Sequence, residues 1–181
     1  EVFYYECDRL GMAVFQDMVN NGRYSFFFDT ALPTVFMQKF PDGILHMNKK
    51  SRKNFVDAMQ ETVKTLKNHP SIVYWTIFNE GWGQFQADKM YDVLKELDST
   101  RFIDSTSGWF RTKKTDVESL HIYFKKLKVV KSKKPVVISE FGGYVLKIKD
   151  HIFNPNNDYG YKTLKDKEAF NLSLISLFKD Q

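Results

Sequence analysis

SIVYWTIFNEG, residues 71–81, is a run of apolar and β-branched residues that stops at Glu80 and a glycine. A second run, PVVISEFGG over residues 135–143, stops at Glu140 in the same way. Because both runs are apolar without alternation, they predict strands that are covered on both faces, as in a parallel sheet. Chemistry in parallel α/β folds takes place at the carboxyl ends of the strands, so the two glutamates are a candidate catalytic pair.

The residues around these runs alternate between helical and extended patterns. Apolar residues at Phe55, Met59 and Val63 have helical spacing and predict a helix over residues 50–68, which Pro70 ends. Alternation of strands and helices favours an α/β fold with a parallel sheet and right-handed crossovers. The pattern predicts further helices at residues 1–10, 87–97 and beyond 165, further strands at 12–15, 101–104 and 120–123, and loops at 18–47 and 147–165.

Composition places the chain among globular proteins. Of its 181 residues, 43% are hydrophobic and 16% aromatic, so we predict a single domain with one core over residues 1–181. The chain contains no uncharged apolar stretch of 18 residues, which argues against a membrane partner. The single cysteine, Cys7, excludes an intrachain disulfide and a cysteine metal site. It fits a reducing compartment such as the cytoplasm, although secreted enzymes can also lack disulfides.

The net charge of +5 comes from one local patch. Six lysines lie between Lys125 and Lys134, and the rest of the chain has 21 basic residues against 22 acidic ones. Such a patch can attract nucleic acid or anionic lipid, but it is more often a solvated surface. We therefore predict no nucleic-acid partner.

Four segments in order resemble one enzyme family. HPSIVYWTIFNEG, residues 69–81, closely resembles the acid/base segment of glycoside hydrolase family 2, which includes β-galactosidases, β-glucuronidases and β-mannosidases. SEFGG, residues 139–143, resembles the nucleophile segment of that family. SGW at residues 107–109 and HIY at residues 121–123 lie between them in the expected order. The ordered set is far more specific than an Asn-Glu pair alone, and the resemblance covers essentially the whole chain.

The resemblance implies an eight-stranded (β/α)8 barrel, the TIM barrel, with the acid/base after strand four and the nucleophile after strand seven. The five predicted strands would then be strands three to seven of an incomplete barrel. Strands one and two would lie upstream and strand eight downstream. On this interpretation the chain, which begins at Glu1 inside a predicted helix, is part of a longer polypeptide with further domains.

The resemblance also implies roles for individual residues. Glu80 would be the acid/base and Glu140 the nucleophile of a retaining β-glycosidase, with their carboxyl groups about 5–5.5 Å apart. Asn79 would bind the 2-hydroxyl of a carbohydrate substrate, and Tyr123 would tune the nucleophile. No cofactor and no metal are implied. The expected substrate-binding residues are Asn79, Tyr123, His121, Trp109 and Asp17.

Other interpretations of the same residues remain open at this point. The glutamates also fit strand-end ion pairs, Asn79 a cap, and Asp17 a loop anchor. The tyrosine, the histidine and the tryptophans Trp82 and Trp109 also fit simple packing. At the level of function, the alternatives are a transglycosidase and a carbohydrate-binding barrel that has lost turnover. Galactose is the first candidate sugar and glucuronic acid the second.

Overall fold

The computed structural model describes residues 2–19, 24–32, 35, 42–46, 48–108, 111–123, 131–152, 154 and 159–179. The chain divides into two compact units, Glu1–Ser119 and Leu120–Gln181, which are considered in turn. The single domain predicted over residues 1–181 stays a prediction. No helix in the described ranges combines the length and apolar character that a membrane crossing requires.

The first unit is built on a parallel sheet, as the sequence predicts. Three strands lie in the order β1-β2-β3, and both neighbouring pairs are parallel. Helical crossovers join them, and the predicted helices and strands are confirmed with shifted ends. The elements are α1 (Val2–Leu10), β1 (Val14–Asp17), α2 (Lys49–Leu66), β2 (Ile72–Asn79), α3 (Ala87–Leu97) and β3 (Phe102–Ser107).

The core of the first unit lies between the sheet and its two crossover helices. Trp75 of β2 and Ile103 of β3 are fully buried, and they belong to one cluster with Met59 of α2 and Leu94 of α3. Neighbouring strands place these apolar residues at matching heights, since Trp75 pairs with Ile103 in the register. The buried residues of α2 recur every three or four positions, which explains why this stretch folds as a helix.

Arg101 holds the amino-terminal end of the sheet together. Its guanidinium donates hydrogen bonds to the backbone carbonyls of Ile72 at 2.6 Å, Lys67 at 2.6 Å and His69 at 3.1 Å. It also forms an ion pair with Asp98 at 2.7 Å, just beyond the end of α3. One side chain therefore links the ends of two helices to the start of β2.

Asp98 continues this network into the core. Its carboxylate accepts hydrogen bonds from the indole N–H of Trp75 at 2.9 Å and from the backbone and hydroxyl of Thr100. Burial by itself would raise the pKa of Asp98, but hydrogen bonds from Thr100, Trp75 and Arg101 outweigh it and lower the pKa to about 2. The ionised form of Asp98 thus stabilises the fold.

The segment predicted as a loop over residues 18–47 contains short ordered turns. A π-helical turn covers Phe26–Ala31 and a 3-10 turn covers Asp42–Ile44. Asp29 of the first turn is fully buried, where it accepts a hydrogen bond from the backbone of Ser25 and contacts His46 at 2.6 Å. The contact with His46 joins residues 17 positions apart, so no local periodicity reveals it.

The second unit has strands that the sequence analysis did not predict. β4 (Glu118–Ile122), which starts at the end of the first unit, neighbours β5 (Val136–Phe141), and both were expected. A further parallel pair, β6 (Tyr144–Leu146) and β7 (Lys162–Leu164), precedes α4 (Lys167–Lys179). The prediction of a loop over residues 147–165 is therefore wrong at its end. Strands of three residues are too short for a periodic pattern to indicate them.

The ionised Asp98 predicts a specific loss of stability in acid. Its pKa of about 2 lies below the ordinary value of 3.8, so its contribution is complete above about pH 4 and is lost as the pH falls towards 2. The difference in unfolding free energy between the native protein and Asp98→Asn should shrink by about 2 kcal/mol from pH 5 to pH 2 in urea titrations.

Asp57→Asn is the matched control for this measurement. Asp57 lies on the exposed face of α2 and pairs only with Lys53 there among the contacts described for it. Exposed ion pairs contribute little to stability, so the difference between this variant and the native protein should stay nearly constant with pH. A constant difference for Asp98→Asn as well would contradict the assignment.

Candidate active site

Glu80 follows β2 directly and has a strained backbone. Asn79, the last residue of β2, pairs with Ser107 of β3, and the N–H of Glu80 donates to the Ser107 carbonyl at 2.8 Å. Glu80 then adopts a φ of +50° and Gly81 a φ of +77°. Positive φ is costly for a residue with a side chain, and such strain is typical of functional sites. The sheet thus fixes Asn79 and Glu80 side by side at the carboxyl end of the strand.

Asp42 anchors the turn that carries Glu80 into α3. The residue before the helix, Gln86, has a φ of +43° and makes no side-chain capping bond. The carboxylate of Asp42 takes that role, because it accepts the Ala87 N–H at 2.8 Å and the Gln84 side chain at 3.2 Å. Asp42 thereby ties the segment after β1 to the turn after β2. The sequence predicts only a loop around Asp42, since a cap from a distant segment leaves no local pattern.

Asp17 ends β1 on the same edge of the sheet but lies lower than Glu80. It pairs with Thr76, three residues before Asn79, which corresponds to about 10 Å along the strand. Its charge contributes to raising the pKa of Tyr74, after the larger effect of burial and that of Asp104. The first unit therefore brings Asn79 and Glu80 together and places Asp17 about 10 Å from them along the strand direction.

Asp104 is a buried carboxyl group that the sequence analysis did not single out. It accepts hydrogen bonds from the hydroxyl of Tyr74 at 2.9 Å and from the backbone of Thr106 at 3.3 Å. Burial raises the pKa of Asp104, against the opposing effect of hydrogen bonds from Ser119 and Tyr74. Its pairing with Thr76 puts it on the same level of the sheet as Asp17.

In the second unit, Glu140 forms a cluster with His121 and Tyr123. The hydroxyl of Tyr123 donates a hydrogen bond to Glu140 Oε2. His121 Nε2 lies 3.7 Å from Glu140 Oε1, and His121 Nδ1 lies 3.3 Å from the Tyr123 hydroxyl. The His121 side chain is 1% exposed, whereas that of Glu140 is 42% exposed. The carboxylate is thus supported by buried partners and still open to a ligand.

Tyr161, the residue before β7, packs against this cluster. Its ring stacks on that of Tyr123 with the centroids 4.2 Å apart, and its N–H donates to the Gly143 carbonyl at 2.8 Å. Gly143 has a φ of +64°, and a Cβ there would lie 2.4 Å from the Tyr161 ring. This contact explains the second glycine of the SEFGG segment. The sequence analysis missed Tyr161, which follows Gly160 in a stretch predicted as a loop.

The structure places six of the seven predicted site residues. Asn79, Glu80 and Asp17 lie at the carboxyl edge of the first unit's sheet. Tyr123, His121 and Glu140 touch one another in the second unit. Trp109 lies outside the described residues.

Comparison with known proteins decides the family. The family described as "Glycosyl hydrolases family 2, TIM barrel domain" matches residues 1–156. The chain belongs to this family. The resemblance stated from the sequence is confirmed, and the fold class is the α/β TIM barrel.

The chain is also similar to a bacterial protein that carries a functional name. A "Beta-galactosidase" of Priestia megaterium (strain DSM 319 / IMG 1521) is 31% identical over 97 residues. The matched segment makes up 50% of this chain and 9% of that protein. The chain thus corresponds to a small part of the length of this β-galactosidase.

The strained backbone of Glu80 makes glycine and alanine substitutions informative. Glu80→Gly should be more stable than Glu80→Ala by about 1 kcal/mol in urea unfolding, because glycine adopts positive φ without steric cost. At Glu61, exposed within α2, the order should reverse, with glycine about 1 kcal/mol less stable than alanine. Equal stability of the two Glu80 variants would show that the backbone there is not strained.

Two glycines with nearly the same φ separate backbone strain from steric overlap. Gly11 has a φ of +68° with no described atom within 4 Å of an added Cβ, whereas Gly143 at +64° faces Tyr161. Gly11→Ala should lower the unfolding free energy by about 1 kcal/mol. Gly143→Ala should lower it by about 3 kcal/mol, since overpacking adds to the backbone cost. Equal losses would mean that Tyr161 does not pack against Gly143.

Proposed function

We propose that this chain carries the catalytic residues of a retaining β-glycosidase. The main observation in support of this proposal is a cluster at the end of β5. In it, Tyr123 and His121 hold the half-exposed carboxylate of Glu140. The hydrogen bond from the Tyr123 hydroxyl holds this carboxylate in one orientation, which suits a nucleophile. Membership of glycosyl hydrolase family 2 and the name of the bacterial relative support the same conclusion.

In the first step, Glu140 attacks the anomeric carbon of the bound sugar. The bond to the leaving-group oxygen breaks as Glu80 gives that oxygen its proton, and an ester forms between the sugar and Glu140. Tyr123 orients the attacking carboxylate through its hydroxyl. The buried ring of His121 limits the movement of the same carboxylate, so little freedom is lost when the substrate binds.

In the second step, Glu80 acts as a base and no longer as an acid. Glu80, now ionised, removes a proton from water, whose oxygen attacks the anomeric carbon. The ester bond breaks, Glu140 regains its negative charge, and the sugar leaves with its original configuration. Formation of the ester removes the negative charge of Glu140, so Glu80 can carry the negative charge that a general base needs.

The remaining site residues are proposed to bind the sugar. Asn79, which is adjacent to Glu80 and fixed by its pairing with Ser107, would bind the 2-hydroxyl. Asp17 would accept a hydroxyl deeper along the sheet. His121 and Trp109 would line the subsite of the sugar. A β-galactoside is the first substrate to test, after the name of the relative, and a β-glucuronide the second.

We further propose how the chain corresponds to the barrel. β1 to β5 would be strands three to seven, so that Glu80 follows strand four and Glu140 ends strand seven. The parallel order β1-β2-β3 supports this assignment for the first three. Since the match covers 9% of the relative, we also propose that the parent polypeptide has further domains.

Substitution of each glutamate should have a different kinetic effect. In the product of the complete reading frame, Glu80→Ala should lower kcat/KM about 10³-fold for alkyl glycosides and far less for dinitrophenyl glycosides, which need little protonation. Azide should restore turnover and yield a glycosyl azide. Glu140→Ala should abolish hydrolysis of both substrates, and a 2-fluoro sugar should label Glu140 in the native protein.

Glu61→Ala, on the exposed face of α2, is the control and should keep native kinetics. Equal losses for activated and unactivated glycosides in Glu80→Ala, with no glycosyl azide, would exclude Glu80 as the acid/base. A label on a residue other than Glu140 would exclude the proposed nucleophile.

A further inference from the structure

The turn after Glu80 buries every residue except its largest. Gly81, Gly83, Gln84 and Phe85 are buried, whereas Trp82 is 46% exposed. Phe85 enters the core cluster of the first unit, but Trp82 is not part of that cluster. The turn therefore has an apolar interior available next to it and still holds its tryptophan at the surface.

Trp82 is nevertheless held in place. Its N–H donates to the Asn79 carbonyl at 3.0 Å, and the glycines on both sides have positive φ, +77° at Gly81 and +64° at Gly83. The ring of Tyr24 packs against its indole with the centroids 4.9 Å apart. Tyr24 is 44% exposed as well. The two rings form an ordered aromatic pair that is half open to solvent.

The position of this pair relative to Glu80 suggests what it binds. A general acid contacts the glycosidic oxygen. This oxygen links the sugar that forms the ester with the nucleophile to the leaving group. Two residues of chain span at most about 7 Å, so Trp82 starts within one sugar ring of the proposed acid. Aromatic side chains with one apolar face and a polar edge are well suited to amphipathic ligands such as sugars.

We propose that Trp82 and Tyr24 form the subsite for the leaving-group sugar of a disaccharide or longer glycoside. This inference rests on the proposed function, because the assignment of Glu80 as the acid defines the side on which the leaving group lies. The pair stacks on the apolar face of that sugar while Glu80 protonates the oxygen between the two rings. The aromatic pair contributes to specificity for the leaving group and does not touch the sugar that becomes attached to Glu140.

The same subsite would receive an acceptor sugar in the second step. A hydroxyl oxygen of the acceptor then attacks the anomeric carbon in place of water, and Glu80 takes its proton. The ester bond to Glu140 breaks, and a new glycosidic bond forms without any other reactant. Stacking on Trp82 should therefore raise the share of the ester intermediate that passes to a sugar and not to water.

The test compares leaving groups on one sugar, chosen as the one whose aryl β-glycoside the native protein hydrolyses fastest. The substrates are its methyl glycoside, too small to reach the aromatic pair, and its disaccharide with glucose. Trp82→Ala should lower kcat/KM about tenfold for the disaccharide, which loses its stacking partner, and leave the methyl glycoside unchanged. Trp82→Phe should recover most of the loss. Added glucose should give less transfer product in Trp82→Ala than in the native protein.

Tyr5→Ala is the matched control, because Tyr5 is an exposed aromatic beside His69 at the opposite end of β2. It should behave as the native protein with both substrates. Equal losses on both substrates in Trp82→Ala, or no loss on either, would overturn the subsite while leaving the proposed function intact. Native protein that hydrolyses no glycoside would refute the proposed function, and the subsite with it.

Discussion

The arrangement of helices and strands in the first unit depends most on the contacts of the Arg101 guanidinium. This group joins the last turn of α2, the start of β2 and the end of α3 through three carbonyls and one carboxylate. Arginine suits this position because its planar head carries several donors in a fixed geometry, which the single ammonium of lysine lacks. Through Asp98 the same network reaches the indole of Trp75, so the polar end of the sheet and its apolar core are aligned by one set of bonds.

Stability and strain lie at opposite ends of β2. The amino-terminal end is tied by Arg101, whereas the carboxyl end leaves the sheet through left-handed backbone at Glu80 and Gly81. A residue in an unfavourable conformation persists only where its surroundings determine it fully. The hydrogen bond from Glu80 to Ser107 and the cap from Asp42 meet that requirement. The carboxyl end of β2 can therefore remain strained because the contacts around it are fixed.

Much of the fold could be predicted from the sequence, because its main elements are long enough to show their period. The helix at residues 50–68 and the strand that ends at Glu80 each carry an apolar pattern with a clear stop. Asp42 and Tyr161 could not be found in this way, since each acts on residues far along the chain. The sequence indicates only simple packing for Trp82, whereas the fold leaves its side chain half exposed. Local patterns reveal elements, whereas contacts between loops depend on tertiary structure.

The stacking of Tyr161 on Tyr123 has a consequence for how this domain can be transferred to another protein. The stretch recognised as the family ends at residue 156, and Tyr161 lies beyond it. A graft or recombination that follows the recognised boundary would transfer Glu140, its tyrosine and its histidine, yet leave behind the ring that packs against that tyrosine. The segment to transfer is thus longer than the segment that matches the family, and a crossover point should be placed after β7.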